Sequence, residues 1–419
     1  MFTWWREADS RARRAFWAAS LGWMLDSFDV MLYAMVLAAL IEDPTLHLSL
    51  STAGILNSVT LVAAAIGGIV FGVIADRAGR KRALMGAVLL YSIFTAACGF
   101  AQSALELAVF RVLLGFGMGG EWASGAALVS ESFPAEHRGK ALAFVQSSWA
   151  IGYLAAALVN LLVLPQWGWR GVFFVGVLPA LFTIWVRRSV EEPQAWRAAS
   201  TAARGRFGAL FTSDMAAVTF IVTAMNACTL FGWWGLNGWV PAYLQLRPAQ
   251  GGVGLDSSTM SLFVIAMQVG MWFGYVSFGF IADAIGRKRT YVTFLLLTSV
   301  LLPLYGVVRE PLALLALGPI IAFFGTGYFS GFGALTAELY PSEIRATAQG
   351  FTYNTGRLAS AAAPYVVGSL AASQGFGVAF AVAGAAFLLA AVAWIGIPET
   401  RSLRLFERAP EYLADHRLG

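Results

Sequence analysis

The stretch Gly72-Val-Ile-Ala-Asp76-Arg-Ala-Gly79-Arg80-Lys81-Arg82 occurs twice in this chain. It returns 207 positions later as Gly279-Phe-Ile-Ala-Asp283-Ala-Ile-Gly286-Arg287-Lys288-Arg289, without the arginine that follows the first aspartate. A second block, Glu131-Ser-Phe-Pro134-Ala-Glu136-His-Arg138, returns at the same distance as Glu338-Leu-Tyr-Pro341-Ser-Glu343-Ile-Arg345. Two independent blocks that share one offset indicate an internal duplication. The sequence therefore predicts two structurally similar halves.

Apolar residues dominate the sequence on both sides of these blocks. They make up 58% of the 419 residues, and charged residues make up 12%, about half the share found in soluble domains. Long apolar runs without strand-like alternation predict helices, because backbone groups in lipid must be hydrogen-bonded internally. Twelve runs approach the roughly 20 residues that span a bilayer: 15–40, 53–74, 83–101, 106–131, 141–163, 171–187, 215–244, 258–281, 291–308, 312–337, 347–371 and 377–397. The predicted fold is an all-α membrane protein with twelve transmembrane helices in two six-helix pseudo-symmetric halves.

A polar stretch separates the two predicted halves. It contains Glu191, Glu192, Pro193 and several arginines, and it lies at the boundary of the repeat. We therefore expect an N-terminal half over 1–187, a cytoplasmic linker over 188–213, a C-terminal half over 214–400 and a cytoplasmic tail over 401–419.

The basic residues predict how the chain is oriented. Of the 28 Lys and Arg, 23 fall on one side of the membrane if both termini share that side, and Arg111 and Arg357 fall within spans. An excess of Lys and Arg marks the cytoplasmic side. We therefore expect a multi-pass protein of the cell (inner) membrane with both termini in the cytoplasm. The same asymmetry explains the net charge of +5 without a nucleic-acid partner.

Acidic residues accompany the basic ones in the repeated blocks. Lys and Arg alone would satisfy the topology rule, so acids at matching positions of both halves indicate a further role. We predict ion pairs that latch the helices of each half at the cytoplasmic rim and act in gating. The predicted gating residues are Asp76, Arg80, Glu131, Arg138, Asp283, Arg287, Glu338 and Arg345.

Few ionisable residues fall within the predicted spans, where they are costly and commonly functional. Asp26 and Asp29 fall in helix 1 and Glu121 in helix 4, all near the predicted midplane. Every Lys and His falls in a loop or tail, so a transported proton would be carried by a carboxylate. Two alternatives stay open: Asp29 only neutralises Arg111 of helix 4, or Asp26 only bonds a neighbouring helix.

Arg357 in helix 11 has no acidic residue near it in the predicted midplane of the second half. Its guanidinium stays charged and matches a carboxylate, so we predict that it binds an anion, either the substrate or an acid such as Asp29 or Glu121 across the cavity. Other side chains could contact a solute or only a neighbouring helix: Asn57, Gln146, Asn226, Trp233, Trp234, Gln268, Tyr328, Tyr353 and Asn354. Trp239 either walls the solute or faces lipid.

The Gly-x-x-x-Asp-Arg-x-Gly-Arg-Lys loop at 72–81 and the Glu-x-x-Pro-x-Glu-x-Arg loops resemble the signature of the major facilitator superfamily over essentially the whole chain. Gly22-Trp-Met-Leu-Asp26-Ser-Phe-Asp29, Gly119-Gly-Glu121 and Tyr353-Asn-Thr-Gly-Arg357 resemble its sialate/lactate branch of organic acid:proton symporters. That resemblance carries over to Asp26, Asp29, Arg111, Glu121 and Arg357. It implies proton coupling by the first four residues.

We therefore expect a secondary active transporter that moves a small organic anion, a monocarboxylate such as lactate, with a proton by alternating access. The alternatives are a sialic acid (sugar-acid) or aromatic-acid symporter, then a neutral sugar or drug carrier, or a membrane sensor that does not transport. The sequence contains no nucleophile–histidine pair, metal-ligand spacing or nucleotide loop, and Cys98 and Cys228 lack a plausible disulfide partner. We expect a monomer without enzymatic activity, cofactor or metal.

Overall fold

The computed structural model describes residues 3–133, 135–191, 207–213, 215–340 and 344–400. All regular secondary structure in this part of the chain is helical: α1 (Thr3–Glu7), α2 (Ser10–Glu42), α3 (Leu50–Ala78), α4 (Arg80–Cys98), α5 (Ala104–Ser132), α6 (Ala135–Val175), α7 (Pro179–Ser189), α8 (Ala216–Asn237), α9 (Val240–Gln245), α10 (Ser257–Ile285), α11 (Arg287–Val307), α12 (Pro311–Gly327), α13 (Phe332–Leu339), α14 (Arg345–Ser360), α15 (Ala363–Gln374) and α16 (Phe376–Ala393). Most of the predicted linker and all of the predicted tail lie outside the described residues.

Polar side chains begin several helices in the loops between the apolar runs. Ser49 Oγ accepts a hydrogen bond from the backbone N–H of Thr52 at 3.1 Å, and Asp256 Oδ1 accepts one from the N–H of Thr259 at 3.0 Å. These caps satisfy N–H groups that have no partner inside the helix. The loops therefore fix where α3 and α10 start.

The described helices lie at all twelve predicted positions, so the predicted helical fold is confirmed. Nine segments of the described residues are long and apolar enough to cross a membrane. The predicted helices 5 and 6 join across a break at Gly168 (φ 64°), and helices 7, 10 and 11 are interrupted at 238–239, Tyr328–Gly331 and 361–362. Pro241 and Pro364 follow two of these breaks, because a proline in a first helical turn costs no internal hydrogen bond.

The internal duplication is visible in the backbone. Gly79 (φ 109°, ψ 150°) and Gly286 (φ 104°, ψ 153°), which are 207 positions apart, connect α3 to α4 and α10 to α11 in the same conformation. A Cβ on Gly67 would stand 1.9 Å from the carbonyl oxygen of Phe116, and a Cβ on Gly274, 207 positions later, would stand 2.4 Å from that of Phe323. Both halves therefore use a glycine for the same close helix approach.

The helix pairs also correspond between the halves. In the first half α2 packs on α6 and α3 on α5, and in the second half α8 packs on α14 and α10 on α12. The halves contact each other through α6 with α10 and α3 with α15. These two contacts are equivalent under the repeat, so a pseudo-twofold axis relates the halves.

Polar contacts between the halves lie far from the turns at Gly79 and Gly286. We call the side of the bundle with those turns the basic face. Ser51 Oγ lies 3.2 Å from Ser369 Oγ, and Asn160 Nδ2 donates to Ser261 Oγ at 3.0 Å. Both pairs lie at the opposite face, as do the other hydrogen bonds described between the halves.

Candidate functional site

Four ionisable side chains are buried in three helices: two near the middle of α2, one in α5 and one in the last turn of α14. Asp26 and Asp29 lie in α2, Glu121 lies in α5 and Arg357 lies in α14. None of them is more than 3% exposed. The i, i+3 spacing of the two aspartates places them on one face of α2, and that face contacts α5. The structure thus brings three predicted proton-coupling residues into one region.

Gly22 has no side chain, which leaves room for Glu121 beside α2. A Cβ on Gly22 would stand 2.3 Å from Glu121 Oε1, so only glycine fits this position without a shift. Asp26 lies one helical turn after Gly22 on the same face, and the charges of Asp26 and Glu121 interact. The local sequence of α2 therefore creates a pair of carboxyl groups.

The three carboxyl groups lack hydrogen-bond donors. No oxygen of Asp26, Asp29 or Glu121 has a donor among the described residues. Thr95 lies beside Asp29, but its hydroxyl donates to the carbonyl oxygen of Tyr91 at 2.8 Å. An ionised carboxylate that is buried without donors is costly. The cluster is therefore chemically suited to bind a proton.

Arg357 lies near this pair of carboxyl groups. Its charge acts on both Asp26 and Glu121, yet it forms no ion pair or hydrogen bond with them or with another described side chain. It lines a central cavity. A guanidinium has five donors in a fixed fork, so Arg357 retains donors for a further anion.

Arg111 lies in a separate environment. Its Nη2 donates to Asn57 Oδ1 at 3.0 Å and its Nε to the carbonyl oxygen of Leu56 at 3.4 Å. Its Cζ stands 3.7 Å from the ring centroid of Tyr33, a cation–π contact. Arg111 forms no ion pair with Asp29 among the described residues. The structure therefore separates Arg111 from the carboxyl groups with which the sequence grouped it.

The central cavity is narrow, with a volume of about 30 Å³, well below the volume of typical small-molecule sites. Seven of its ten lining residues are aromatic; the ten are Trp23, Gln146, Trp149, Leu230, Trp233, Trp234, Tyr275, Phe329, Tyr353 and Arg357. The cavity therefore combines aromatic walls with one permanent positive charge.

Tryptophans from both halves meet at this cavity. The ring centroids of Trp23 and Trp149 are 4.6 Å apart, and those of Trp233 and Trp234 are 4.8 Å apart. Trp149 and Trp233 join the halves with a centroid distance of 5.5 Å and an interplanar angle of 70°. The predicted wall residues Trp233 and Trp234 therefore line the cavity, together with Tyr353.

Four other predicted substrate-binding residues do not line this cavity. Tyr328 donates its hydroxyl to the carbonyl oxygen of Thr229 at 3.4 Å, and Asn354 donates to the carbonyl oxygen of Gly350 at 2.9 Å. Asn226 and Gln268 are buried, and each has one polar atom without a partner among the described residues.

Trp239 is neither a cavity wall nor a lipid-facing residue. It is 1% exposed, and its Nε1 donates to the carbonyl oxygen of Pro364 at 3.0 Å. The lipid-facing interpretation is therefore wrong, because the indole is buried and its N–H is satisfied inside the protein.

The predicted gating residues of the second half form a cluster at the basic face. Arg287 of α11 pairs with Asp283 of α10 and, at 3.5 Å, with Glu338 of α13. Glu338 accepts a hydrogen bond from Thr400, and Glu399 accepts one from the backbone N–H of Arg287 at 2.8 Å. The cluster thus connects three helices and the segment after α16. The side chains of Asp76, Glu131, Arg138 and Arg345 lie outside the described residues, and Arg80 begins α4.

Sequence reasoning missed several cavity residues, namely Trp149, Tyr275 and Phe329. One signal for Trp149 was present, because it follows the candidate Gln146 by three positions and therefore shares its helix face. No such signal marked Tyr275 or Phe329, since aromatic residues are frequent throughout the apolar runs.

Comparison with known proteins places these features in context. A family model described as Major Facilitator Superfamily matches residues 19–277 and 222–411. The cis,cis-muconate transport protein of Acinetobacter baylyi is 33% identical, over 90% of this chain and 92% of its own length. The sialic acid transporter NanX of Escherichia coli is 30% identical, over 94% and 96%. A crystal structure of a D-xylose-proton symporter superposes with a TM-score of 0.74 at 21% identity, over 94% of this chain and 99% of that chain, which supports the fold alone.

Proposed function

The chain belongs to the major facilitator superfamily and is a multi-pass membrane transporter, and from that premise we propose that it carries a small organic anion, a monocarboxylate, together with a proton. The basic face is cytoplasmic in this proposal, with both termini on that side of the cell (inner) membrane, as the distribution of Lys and Arg favours. The two six-helix halves move relative to each other to expose the site to either side.

The observation that carries the proposal is the environment of Arg357. This cation is 3% exposed and lines the cavity, and no described acid pairs with it. A charge held in this way is costly unless an anion joins it. A carboxylate fits best, because it accepts two parallel N–H···O bonds from a guanidinium. The muconate and sialic acid relatives are named for acids, which supports the same choice.

In this proposal, proton coupling arises from the interaction of the charge of Arg357 with the nearby carboxyl groups of Asp26 and Glu121. In the empty site, the charge of Arg357 favours the ionised forms of Asp26 and Glu121. A bound carboxylate neutralises that charge, so the acids then bind a proton more readily. Coupling of this kind is reciprocal, and a bound proton therefore favours the substrate. One anion and one proton cross without net charge, and Asp29 serves as a further carboxyl group near the pair.

The described contacts support a site that opens towards the basic face. The polar contacts between the halves, including those of Ser51 and Asn160, lie at the opposite face. Opening towards that side would break these bonds and the approach of Gly54 to Pro364, where a Cβ would stand 2.5 Å from a carbonyl oxygen. The contacts between α3 and α15 and between α6 and α10 thus form the outer gate of the proposal.

A proteoliposome assay tests the function. The purified chain is reconstituted, and a thermal-shift screen of monocarboxylates selects the acid for uptake measurements. We expect uptake to accelerate when the outside is more acidic than the lumen, and to be blocked by a proton ionophore. The neutral amide of the same acid is the matched control and should not compete. Uptake that ignores the pH gradient would refute proton coupling, and equal competition by the amide would refute an anion site.

A further inference from the structure

We propose that the hydroxyl group of Tyr91 in α4 is the hydrogen-bond donor for the carboxylate that forms when the buried acid cluster releases its proton. The proton that leaves comes from Asp26, Asp29 or Glu121, and Tyr91 keeps its own. This inference rests on the proposed proton coupling and adds a residue that stabilises the ionised state. Tyr91 does not line the central cavity, so it acts through the acids as a positioning residue.

Tyr91 lies at the same depth in the bundle as Asp29. A Cβ on Gly22 of α2 would stand 3.5 Å from Leu84 Cδ1 of α4, so these two residues are neighbours. Both helices start at the basic face and run in the same direction. Asp29 and Tyr91 each follow their member of this pair by seven positions, which is two helical turns on one face. The α4 helix therefore presents Tyr91 to α2 beside Asp29.

The α5 helix brings Glu121 to the other side of Tyr91. A Cβ on Gly117 would stand 2.8 Å from the backbone nitrogen of Tyr91, so α5 approaches α4 closely at this residue. Glu121 follows Gly117 by one turn, nearer the basic face, because α5 runs towards that face. Side chains in a helix tilt towards its N-terminus, so the ring of Tyr91 leans from the level of Asp29 towards that of Glu121. In agreement with this placement, Tyr91 interacts electrostatically with all three acids of the cluster.

The hydroxyl group of Tyr91 is available for such a bond. Tyr91 is fully buried, and its hydroxyl has no partner among the described residues. Thr95 lies one turn further along α4, but its hydroxyl donates to the carbonyl oxygen of Tyr91 at 2.8 Å. A buried hydroxyl without a partner is destabilising. A bond that forms only when an acid of the cluster is ionised accounts for this unused donor.

The charges around the cluster explain why an ionised acid needs a donor. Asp26 interacts with both Asp29 and Glu121, and Arg357 acts on Asp26 and Glu121. Among the described residues, the charged groups that act on Tyr91 are the three acids, and α3, α6 and α7, which also pack on α4, add none. Each hydrogen bond that a buried carboxylate accepts favours its ionised form. A bond from Tyr91 therefore makes proton release easier without adding a charge.

Infrared spectroscopy of the purified full chain tests the assignment without a transported substrate. A protonated carboxyl group has a C=O band that disappears on ionisation, and Asp26→Asn, Asp29→Asn and Glu121→Gln identify the bands of the cluster. In Tyr91→Phe the cluster should hold its proton to higher pH, so the midpoint of the band should rise by about one pH unit. Replacement of Tyr91 by 3-fluorotyrosine, which is a stronger donor and keeps the hydroxyl, should lower the midpoint.

Tyr305→Phe is the matched control. Tyr305 in α11 is also fully buried, and its hydroxyl has no partner among the described residues. The groups that act on it are Tyr243 and Tyr153, not the acids of the cluster. Its band midpoint should therefore equal that of the native chain. An unchanged midpoint in Tyr91→Phe, or an equal shift in Tyr305→Phe, would overturn the proposal.

The native chain separates this inference from the proposed function. A cluster that ionises at the same pH in the native chain and in Tyr91→Phe would overturn the role of Tyr91 and leave proton coupling standing. A cluster that keeps one protonation state from pH 5 to 9 in the native chain would overturn both.

Discussion

The two arginines buried in the bundle, Arg111 and Arg357, have opposite surroundings. Arg111 is fully buried; its Nη2 and Nε donate to Asn57 and to the carbonyl of Leu56, its Nη1 has no hydrogen-bond partner among the described residues, and the ring of Tyr33 lies against its guanidinium. Arg357 is nearly as buried, yet it has no partner among the described residues and lines the cavity. Both residues are buried arginines, so neither residue type nor burial explains why their contacts differ.

The difference lies in what neighbouring helices supply. The α3 helix offers Arg111 an amide and a carbonyl, which accept hydrogen bonds from two of its three guanidinium nitrogens. The cavity beside Arg357 presents mainly aromatic rings, and the acids that interact with its charge do not line that cavity. We interpret Arg111, whose guanidinium contacts protein groups, as a structural residue, and Arg357, which has no partner among the described residues, as a binding residue. Substitutions of these arginines and of the neighbouring acids test this division.

Arg357→Gln should remove acid binding. The substitution deletes the charge and the fork that hold the carboxylate, and loss of one partner of a buried charge pair weakens binding at least about 100-fold. Because no described side chain pairs with Arg357, the thermal unfolding midpoint of the empty protein should not fall. Both quantities are measured on one preparation, by calorimetry and by thermal unfolding. Retained affinity would point to a neutral substrate.

Arg111→Gln should show the reverse pattern. It removes two hydrogen bonds and a cation–π contact, so we expect a loss of about 2–4 kcal/mol of stability. Acid affinity of the folded protein should stay within about threefold, since Arg111 does not line the cavity. The measurement is the unfolding midpoint in detergent, with affinity determined alongside. If affinity fell as far as in Arg357→Gln while stability held, the two arginines would share one role.

The fold could be predicted from the sequence because its signals are long and redundant. Apolar runs give the helices, and the offset of 207 positions gives the two halves, down to the matching turns at Gly79 and Gly286. Breaks inside helices 7, 10 and 11 were harder, since a run of apolar residues does not reveal where a chain bends. The prolines after two of the breaks carried part of that information.

The sequence predicted how deep the site residues lie in the bundle, but not which residues contact each other. Helical rise placed Asp26, Glu121 and Arg357 at a common level, and in the structure their charges are close enough to interact. The family resemblance grouped Arg111 with the acids, yet the rotation of a helix decides which neighbours a side chain contacts. That rotation depends on packing such as the approach of Gly119 to Ala64, where a Cβ would stand 1.8 Å from a carbonyl oxygen.

Asp26→Asn should weaken the link between protons and substrate. We expect acid affinity of the native chain to rise about tenfold as pH falls from 8 to 5.5, because proton and anion binding favour each other. Asn resembles the protonated acid, so the variant should bind more tightly than the native chain at pH 8 and show only about threefold dependence, with Glu121 supplying the rest. Calorimetry at several pH values measures this.

Asp29→Asn is the matched control for that experiment. Asp29 lies one turn from Asp26; the charge of Arg357 interacts with Asp26 and Glu121, whereas the main influences on Asp29 are burial, Thr95 and Asp26. The acid affinity of Asp29→Asn should therefore depend on pH about as much as that of the native chain. If acid affinity no longer depended on pH in Asp29→Asn and kept its native pH dependence in Asp26→Asn, the proton would be assigned to Asp29.

Arg170→Gln should have the smallest effect, because this third arginine has partners but remains near solvent. Its Nη1 lies 3.8 Å from Asp43 Oδ2, and its Cζ stands 3.9 Å from the ring centroid of Trp169. Exposed ion pairs contribute about 0–1 kcal/mol, so the unfolding midpoint should fall only slightly, and less in high salt. If Arg170→Gln lost as much stability as Arg111→Gln, protein partners, and not burial, would determine how much stability is lost with an arginine.

The contact between Asp43 and Arg170 should also make the stability of the protein depend on pH. Burial alone would raise its pKa, but hydrogen bonds from Thr45 and Trp169 and the charge of Arg170 outweigh burial, so the pKa of Asp43 lies below 3.8. A carboxyl group with a lowered pKa in the folded state stabilises the protein above its unfolded pKa, and this stabilisation is lost as pH falls through the folded value. The difference in unfolding midpoint between the native chain and Asp43→Asn should therefore be constant from pH 8 to 5 and shrink below pH 3.8. A difference that grew on acidification would have the wrong sign for this contact.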